Sequence, residues 1–247
     1  MGLVTFASVK ASPGVTTTAA LVGARWPDRR VLVEADESGG VLAADLDLGE
    51  TPGVLELAGA AREVDDESVN GHSQLAFGDT PVLVGPGEPH RVAASWRELA
   101  DPLAGHLVRS SVTGIVDVGR LTPGSPGWPL AYASILVVLV ARCRLAEFLP
   151  LAGRCAELRA AGARLALVAV ADGPYQPAEF ANEAGLELLA ALPFDPATAG
   201  LARGHQLSAR ALGRSALWAA AGELADELHG RLSKATAPNG VHAAAGD

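Results

Sequence analysis

The chain has 247 residues, 49% of them hydrophobic but only 4% aromatic, which suits one large α/β unit with a core of Ala, Val and Leu and excludes a disordered chain. Its formal net charge of −9 argues against coating nucleic acid by bulk electrostatics, which needs clustered cations; Arg203, Arg210 and Arg214 lie close together, but acidic residues follow them. Cys143 and Cys155 lack the short-spaced partners of a structural zinc site and read as reduced thiols.

In chain order, Leu3–Ser8 reads as a buried strand and Thr16–Arg25 as a helix, with the next strand at Val31–Ala35. Gly40–Leu48 and Val54–Arg62 are expected as short helices, Pro81–Gly85 as a strand, and Pro89–Arg109 as a helix despite Pro102. Strands follow at Thr113–Val118 and Ile135–Ala141, then a helix at Ala146–Ala161 and a strand at Ala163–Ala171. Pro177–Ala184 reads as a helix, Leu186–Leu192 as the last strand, and Ser208–Leu232 as one long Ala-rich helix. Residues 1–232 thus form one domain without repeats, and Ser233–Asp247, which has no periodic pattern, is expected to be a flexible tail. Continuous apolar strands separated by helices imply a mostly parallel, twisted sheet covered on both faces. Ligands of such sheets bind beyond the carboxyl ends of the strands, here the loops after Ser8, Ala35, Val118 and Ala171. Met1 runs into an apolar stretch too short for a secretory signal, and the longest apolar run, Ala131–Ala141, is too short to span a bilayer, so a cytoplasmic location is expected.

The first of these loops is Val9-Lys10-Ala11-Ser12-Pro13-Gly14-Val15-Thr16-Thr17-Thr18. A Walker A loop, G-x-x-x-x-G-K-[ST], curls backbone N–H groups around phosphate, reaches the β- and γ-phosphates with its lysine and binds Mg²⁺ with its Ser/Thr. Aligned on Gly14, Thr16 is in place, but Val9 stands where the first glycine belongs and Val15 where the lysine belongs. By itself the loop fits a phosphate cradle at a helix N-terminus and an ordinary threonine-capped strand-to-helix turn equally well. Lys10 favours the cradle: the chain has only two lysines, and the other, Lys234, lies in the expected tail. Lysine is a compact point charge suited to phosphate, and arginine is not its equivalent.

The segment Lys10-Ala11-Ser12-Pro13-Gly14-Val15-Thr16-Thr17 resembles the deviant Walker A loop of ParA/MinD ATPases, K-G-G-V-G-K-T-T. The resemblance implies a P-loop NTPase fold that binds ATP and Mg²⁺ and dimerises around them. Lys10 then matches the signature lysine, which reaches the partner's nucleotide. Ser12, Gly14, Val15 and Thr17 fall at phosphate contacts and Thr16 at the Mg²⁺ ligand, while Val15 has lost the lysine that acts within its own chain. Val31–Gly40 resembles the second strand and its D-x-D-x-x-G turn, with Glu34 at the first acid and Asp36 at the second, which positions the attacking water and the Mg²⁺ shell. Asp36 also fits a plain turn-forming acid. Gly114–Gly119 resembles the Walker B strand, which gives Asp117 the Mg²⁺ shell; an acid ending an apolar strand costs free energy unless it is solvated or paired. Val168–Gly173 resembles the strand whose last polar residue reads adenine, here Asp172, and Leu192-Pro193-Phe194-Asp195 the loop beside the base, which brings in Pro193.

What the resemblance implies for function is a switch protein that forms an ATP-dependent homodimer and positions or organises a protein partner. Without the lysine at Val15, hydrolysis is expected to be slow or absent, because phosphoryl transfer relies on positioned cations. The alternative is a nucleotide-independent pseudo-ATPase scaffold, for instance an accessory of a pilus or secretion ATPase. DNA binding lacks a clear basic patch. Lipid binding lacks a basic amphipathic terminal helix, since Glu223, Asp226 and Glu227 lie in the last helix.

Overall fold

The computed structural model describes residues 2–10, 13–60 and 64–236. The strands are β1 (Leu3–Ser8), β2 (Arg30–Glu34), β3 (Gln74–Ala76), β4 (Thr80–Leu83), β5 (Thr113–Arg120), β6 (Leu136–Arg142), β7 (Leu165–Ala171) and β8 (Glu187–Pro193). The helices are α1 (Val15–Arg25), α2 (Leu42–Asp45), α3 (Val54–Ala60), α4 (Asp66–His72), α5 (Pro89–Arg109), α6 (Trp128–Ala133), α7 (Leu145–Ala160), α8 (Pro177–Glu183), α9 (Pro196–Ala199), α10 (Ala209–Leu212) and α11 (Ala216–Thr236).

The strands form one sheet in the order β3-β4-β2-β5-β1-β6-β7-β8. Every pairing is parallel except β3 with β4. This is the mostly parallel α/β sheet that the alternation of apolar strands and helices implies. Successive side chains point to opposite faces, so the strands other than the edge strand β3 feed two cores. Leu3, Val31, Val33, Val116, Val137 and Leu139 pack beneath α3 and α5 to α8. Val4, Phe6, Leu32, Ile115, Val138 and Val140 pack beneath α1 and α11. Among the described residues no helix is long and apolar enough to cross a membrane.

Several elements depart from the sequence reading. The helix expected over Ser208–Leu232 is broken between Leu212 and Ala216. Ser215 Oγ there accepts the Trp218 N–H at 3.0 Å, capping α11, and donates to Asp195 Oδ2 at 3.0 Å, tying that helix start to α9. Helix α11 continues to Thr236, past the expected boundary at Leu232, and the rest of the expected tail lies outside the described residues. The helices α4 and α6 and the edge strand β3 have no counterpart among the predicted elements. Helix α4 carries a capping box between Asp65 and Ser68, a local signal that the sequence did hold.

The helix expected over Gly40–Leu48 is a single turn, Leu42–Asp45, with Asp47 at φ 55° just beyond it, and Glu34 holds its start. Its side chain is buried at the end of β2, where Oε1 accepts the N–H groups of Val41 at 2.6 Å and Leu42 at 2.8 Å. Oε2 accepts the Gly85 N–H at 2.9 Å, from the loop after β4. Burial pushes the Glu34 carboxyl above its ordinary range, and the three N–H donors pull it back towards the charged form. Glu34 is therefore a clasp between two loops. We expect Glu34→Ala to cost about 3 kcal/mol or more, since three buried donors each lose an acceptor worth roughly 1–3 kcal/mol. The urea unfolding midpoint checks this, and an unchanged midpoint would refute it.

Candidate functional site

Period-two alternation decides which residues meet at the carboxyl edge of the sheet. Glu34, Asp117 and Arg142 share the parity of Leu32, Ile115 and Val140, which face α1. The register also sets Glu34 beside Asp117 and Asp117 beside Phe6. The chain leaves β1 through α1 on one face and leaves β6 through α7 on the other. A crevice at such a switch point is where open α/β sheets hold ligands.

A cavity of about 440 Å³ occupies that crevice, lined by Ser8, Gly14 to Thr17, Asp36, Asp45, Arg120, Arg142 and Arg203 among others. Gly14 caps α1 with φ 102°, a left-handed conformation that favours glycine, and no side chain bonds to the first-turn N–H groups. Left without a side-chain acceptor among the described residues, those N–H groups and the helix dipole favour an anion. A second cavity of about 280 Å³ adjoins it, bounded by Pro13, Thr18, Val170, Leu192, Pro193 and Phe194. Gly14, Thr17, Arg142 and Arg203 line both, so the two cavities meet over the start of α1.

Of the acids, Asp36 lines the first cavity, and Asp117 lies buried beside Thr16. Asp117 is fully buried, its Oδ1 accepts the Gly119 N–H at 2.9 Å, and its Oδ2 has no hydrogen-bond partner among the described residues. Burial pushes the Asp117 carboxyl up to about 7; the Thr16 hydroxyl and the Gly119 N–H oppose the rise, and Glu34 and Asp36 add to it. Asp36 accepts the Ser38 N–H at 2.8 Å, and burial raises its pKa against that bond and the charge of Arg120. Gly119, at φ 57°, lies so near Asp36 that a Cβ there would stand 2.0 Å from Oδ2. Only glycine leaves room for this carboxylate at the cavity wall.

No protein-family model matches the chain, and no curated protein matches it in sequence. Solved structures do match. The cell division ATPase MinD of Pyrococcus furiosus aligns at TM-score 0.74 and 21% identity, over 93% of this chain and 98% of that one. The septum site-determining protein MinD of Pyrococcus horikoshii OT3, complexed with Mg-ADP, aligns at 0.73 and 18%, over 92% and 95%. A ParA family ATPase from Chlorobium tepidum TLS aligns at 0.70 and 16%, over 92% and 98%. The chain has the MinD/ParA fold. At these identities the likeness carries the fold, and function has to be argued from the site.

Within the MinD/ParA fold, Gly14, Val15, Thr16, Thr17 and Asp36 line the first cavity, Pro193 lines the second, and Asp117 lies beneath the start of α1. Val15 lines the cavity but is itself buried in the apolar cluster under α1. Lys10 is exposed and lines neither cavity, and Ser12 lies outside the described residues. Asp172 does not line the second cavity; its carboxylate is taken up by Arg142 at 3.0 Å and Arg144 at 2.8 Å. Arg142 has no counterpart among the site residues expected from the sequence, and Arg203 enters there only as one of three neighbouring arginines. Arg142 carries the same signal as Asp117, a charge following an apolar run.

Among the described residues no three His, Cys, Asp or Glu side chains converge as a metal cage. Mg²⁺ commonly takes one or two protein ligands plus waters and phosphate oxygens, and the orphaned Asp117 Oδ2, the Thr16 hydroxyl and Asp36 fit that donor set. A carboxyl whose folded pKa lies above its unfolded value lends stability below about pH 4 and loses it as the pH rises through about 7. Without metal or nucleotide, Asp117→Asn is therefore expected to gain stability over the wild type between pH 5 and pH 8, by about 3 kcal/mol, because roughly two units of the raised interval lie between those pH values at about 1.36 kcal/mol per unit. Urea melts of both proteins at the two pH values check this; an identical difference at each would refute it.

Proposed function

We propose that the chain is a nucleotide-dependent switch that holds ATP with Mg²⁺ in this crevice, pairs with a second copy around it, and positions or organises a protein partner while hydrolysing slowly or not at all. The observation that carries the reading is the buried Asp117, whose Oδ2 has no partner within hydrogen-bond distance among the described residues and has only the Thr16 hydroxyl near it, beneath a helix start that no described side chain caps. A fully buried carboxylate oxygen without a donor is costly unless something positive completes it. Bound there, Mg²⁺ would neutralise charge on the phosphate oxygens. Thr16 and Asp117 would hold its shell, Asp36 would orient water, and the first-turn N–H groups of α1 would bind phosphate. Pro193 and Phe194 would flank the base. The Mg-ADP complex of the P. horikoshii MinD supports the assignment by fold. Lys10, exposed outside its own crevice, suits a residue that acts on a partner's nucleotide.

Two observations favour the scaffold alternative. Val15 puts an apolar side chain where a cation would meet phosphate, and Glu34 is spent on backbone donors. Calorimetric titration of Mg-ATP, with light scattering beside it, separates the readings. We expect saturable binding and a doubling of mass with ATP, and Lys10→Ala should lose the doubling. No heat at millimolar ATP together with an unchanged melting temperature would establish the scaffold.

A further inference from the structure

Val15 leaves the first turn of α1 without the cation that would meet phosphate within its own chain, and Lys10 lines neither cavity, yet the crevice is not short of positive charge. Three arginines line the first cavity, and two of them, Arg142 and Arg203, also line the second. Among the described residues the others common to both cavities are Gly14 and Thr17, from the loop and the first turn of α1. The two guanidinium groups thus flank the junction where a chain of phosphates would pass from the base side to the metal side.

Arg142 is the better placed of the two. It ends β6, the strand hydrogen-bonded alongside β1, and it points to the α1 face by strand parity. Its guanidinium is fixed from behind: Nη1 donates to Asp172 Oδ2 at 3.0 Å, and the group lies 5.8 Å from the centre of the Phe194 ring. Asp172 is shared with Arg144, which donates to its Oδ1 at 2.8 Å and to its backbone oxygen at 2.9 Å. Glu147, the other nearby acid, spends Oε2 on the Arg142 backbone N–H at 2.8 Å. Lys10, Arg142 and Arg144 face Asp172 and Glu147, three cations to two acids, which leaves a surplus of positive charge. The Nε of Arg142 is buried without an acceptor among the described residues, and its Nη2, which is not buried, makes no hydrogen bond among them, so the donors of the guanidinium are not used up within the chain. A planar guanidinium held in this way is preorganised for phosphate oxygens, which it can bind with two parallel N–H groups.

We propose that Arg142 supplies, from β6 of the same chain, the phosphate-binding cation that the loop has lost at Val15, with Arg203 closing the other side of the junction. The proposal rests on the nucleotide reading above and specifies its ligand as the polyphosphate of a nucleoside di- or triphosphate. It relocates the cation from the loop to a neighbouring strand, so a loop-based motif search would miss a working site.

The test is titration of Mg-ATP and Mg-ADP into the full chain and into Arg142→Ala, Arg203→Ala and Arg144→Ala, at low and high NaCl. Arg144→Ala is the control, because it also removes an Asp172 partner but lines neither cavity. We expect Arg142→Ala to weaken both nucleotides about tenfold or more and to flatten the salt dependence of binding. Arg203→Ala should weaken them less, and Arg144→Ala less than twofold, with salt dependence intact. Wild-type affinity in Arg142→Ala would overturn the arginine assignment and leave the nucleotide reading standing. An equal loss in Arg142→Ala and Arg144→Ala with unchanged salt dependence would also overturn it, marking a structural role at Asp172. Absence of any binding by the wild type at millimolar nucleotide would overturn both readings.

Discussion

A parallel sheet that is apolar on both faces has to be covered twice, and that requirement arranges the rest of this molecule. Each strand other than the edge strand β3 alternates its side chains between the cluster under α1 and α11 and the cluster under α3 and α5 to α8. The connections must therefore pass to both sides, and they part at the carboxyl ends of β1 and β6. The crevice follows from covering the sheet, before any residue in it is chosen for chemistry.

The charges at that edge follow from the same alternation. Glu34, Asp117 and Arg142 each follow an apolar run on the α1 side, where an unpartnered charge would be expensive. The three meet this cost differently. Glu34 is saturated by backbone N–H groups and becomes structural. Arg142 is half-satisfied by Asp172 and Phe194. Asp117 keeps one oxygen without a partner. The more a charge is satisfied within the chain, the less it has left for a ligand, and this ranks the three for function where their sequence positions rank them equally.

The loop after β1 shows how far a motif can be read. Gly14 and Thr16 were legible because their conformational and chemical demands are local: a left-handed φ at a helix cap, and a hydroxyl in the first turn. Val15 was legible as a loss. The replacement cation was not, because Arg142 is far away in sequence and reaches the loop only through the β1–β6 pairing. Glu34 likewise looks like an altered catalytic acid until the loops holding Val41 and Gly85 close over it.

The sequence by itself determined the apolar strands, the helix periods between them, the position of the phosphate loop and the acid within β5. All of these rest on short-range patterns that burial and backbone geometry impose. The tertiary structure alone decided the strand order, the break before α11, the capture of Glu34 and Asp172 by other groups, and the meeting of Arg142 with Gly14 and Thr17. Each of these depends on contacts between segments far apart in the chain, and hydrophobic periodicity says which face a residue occupies without saying what lies across from it.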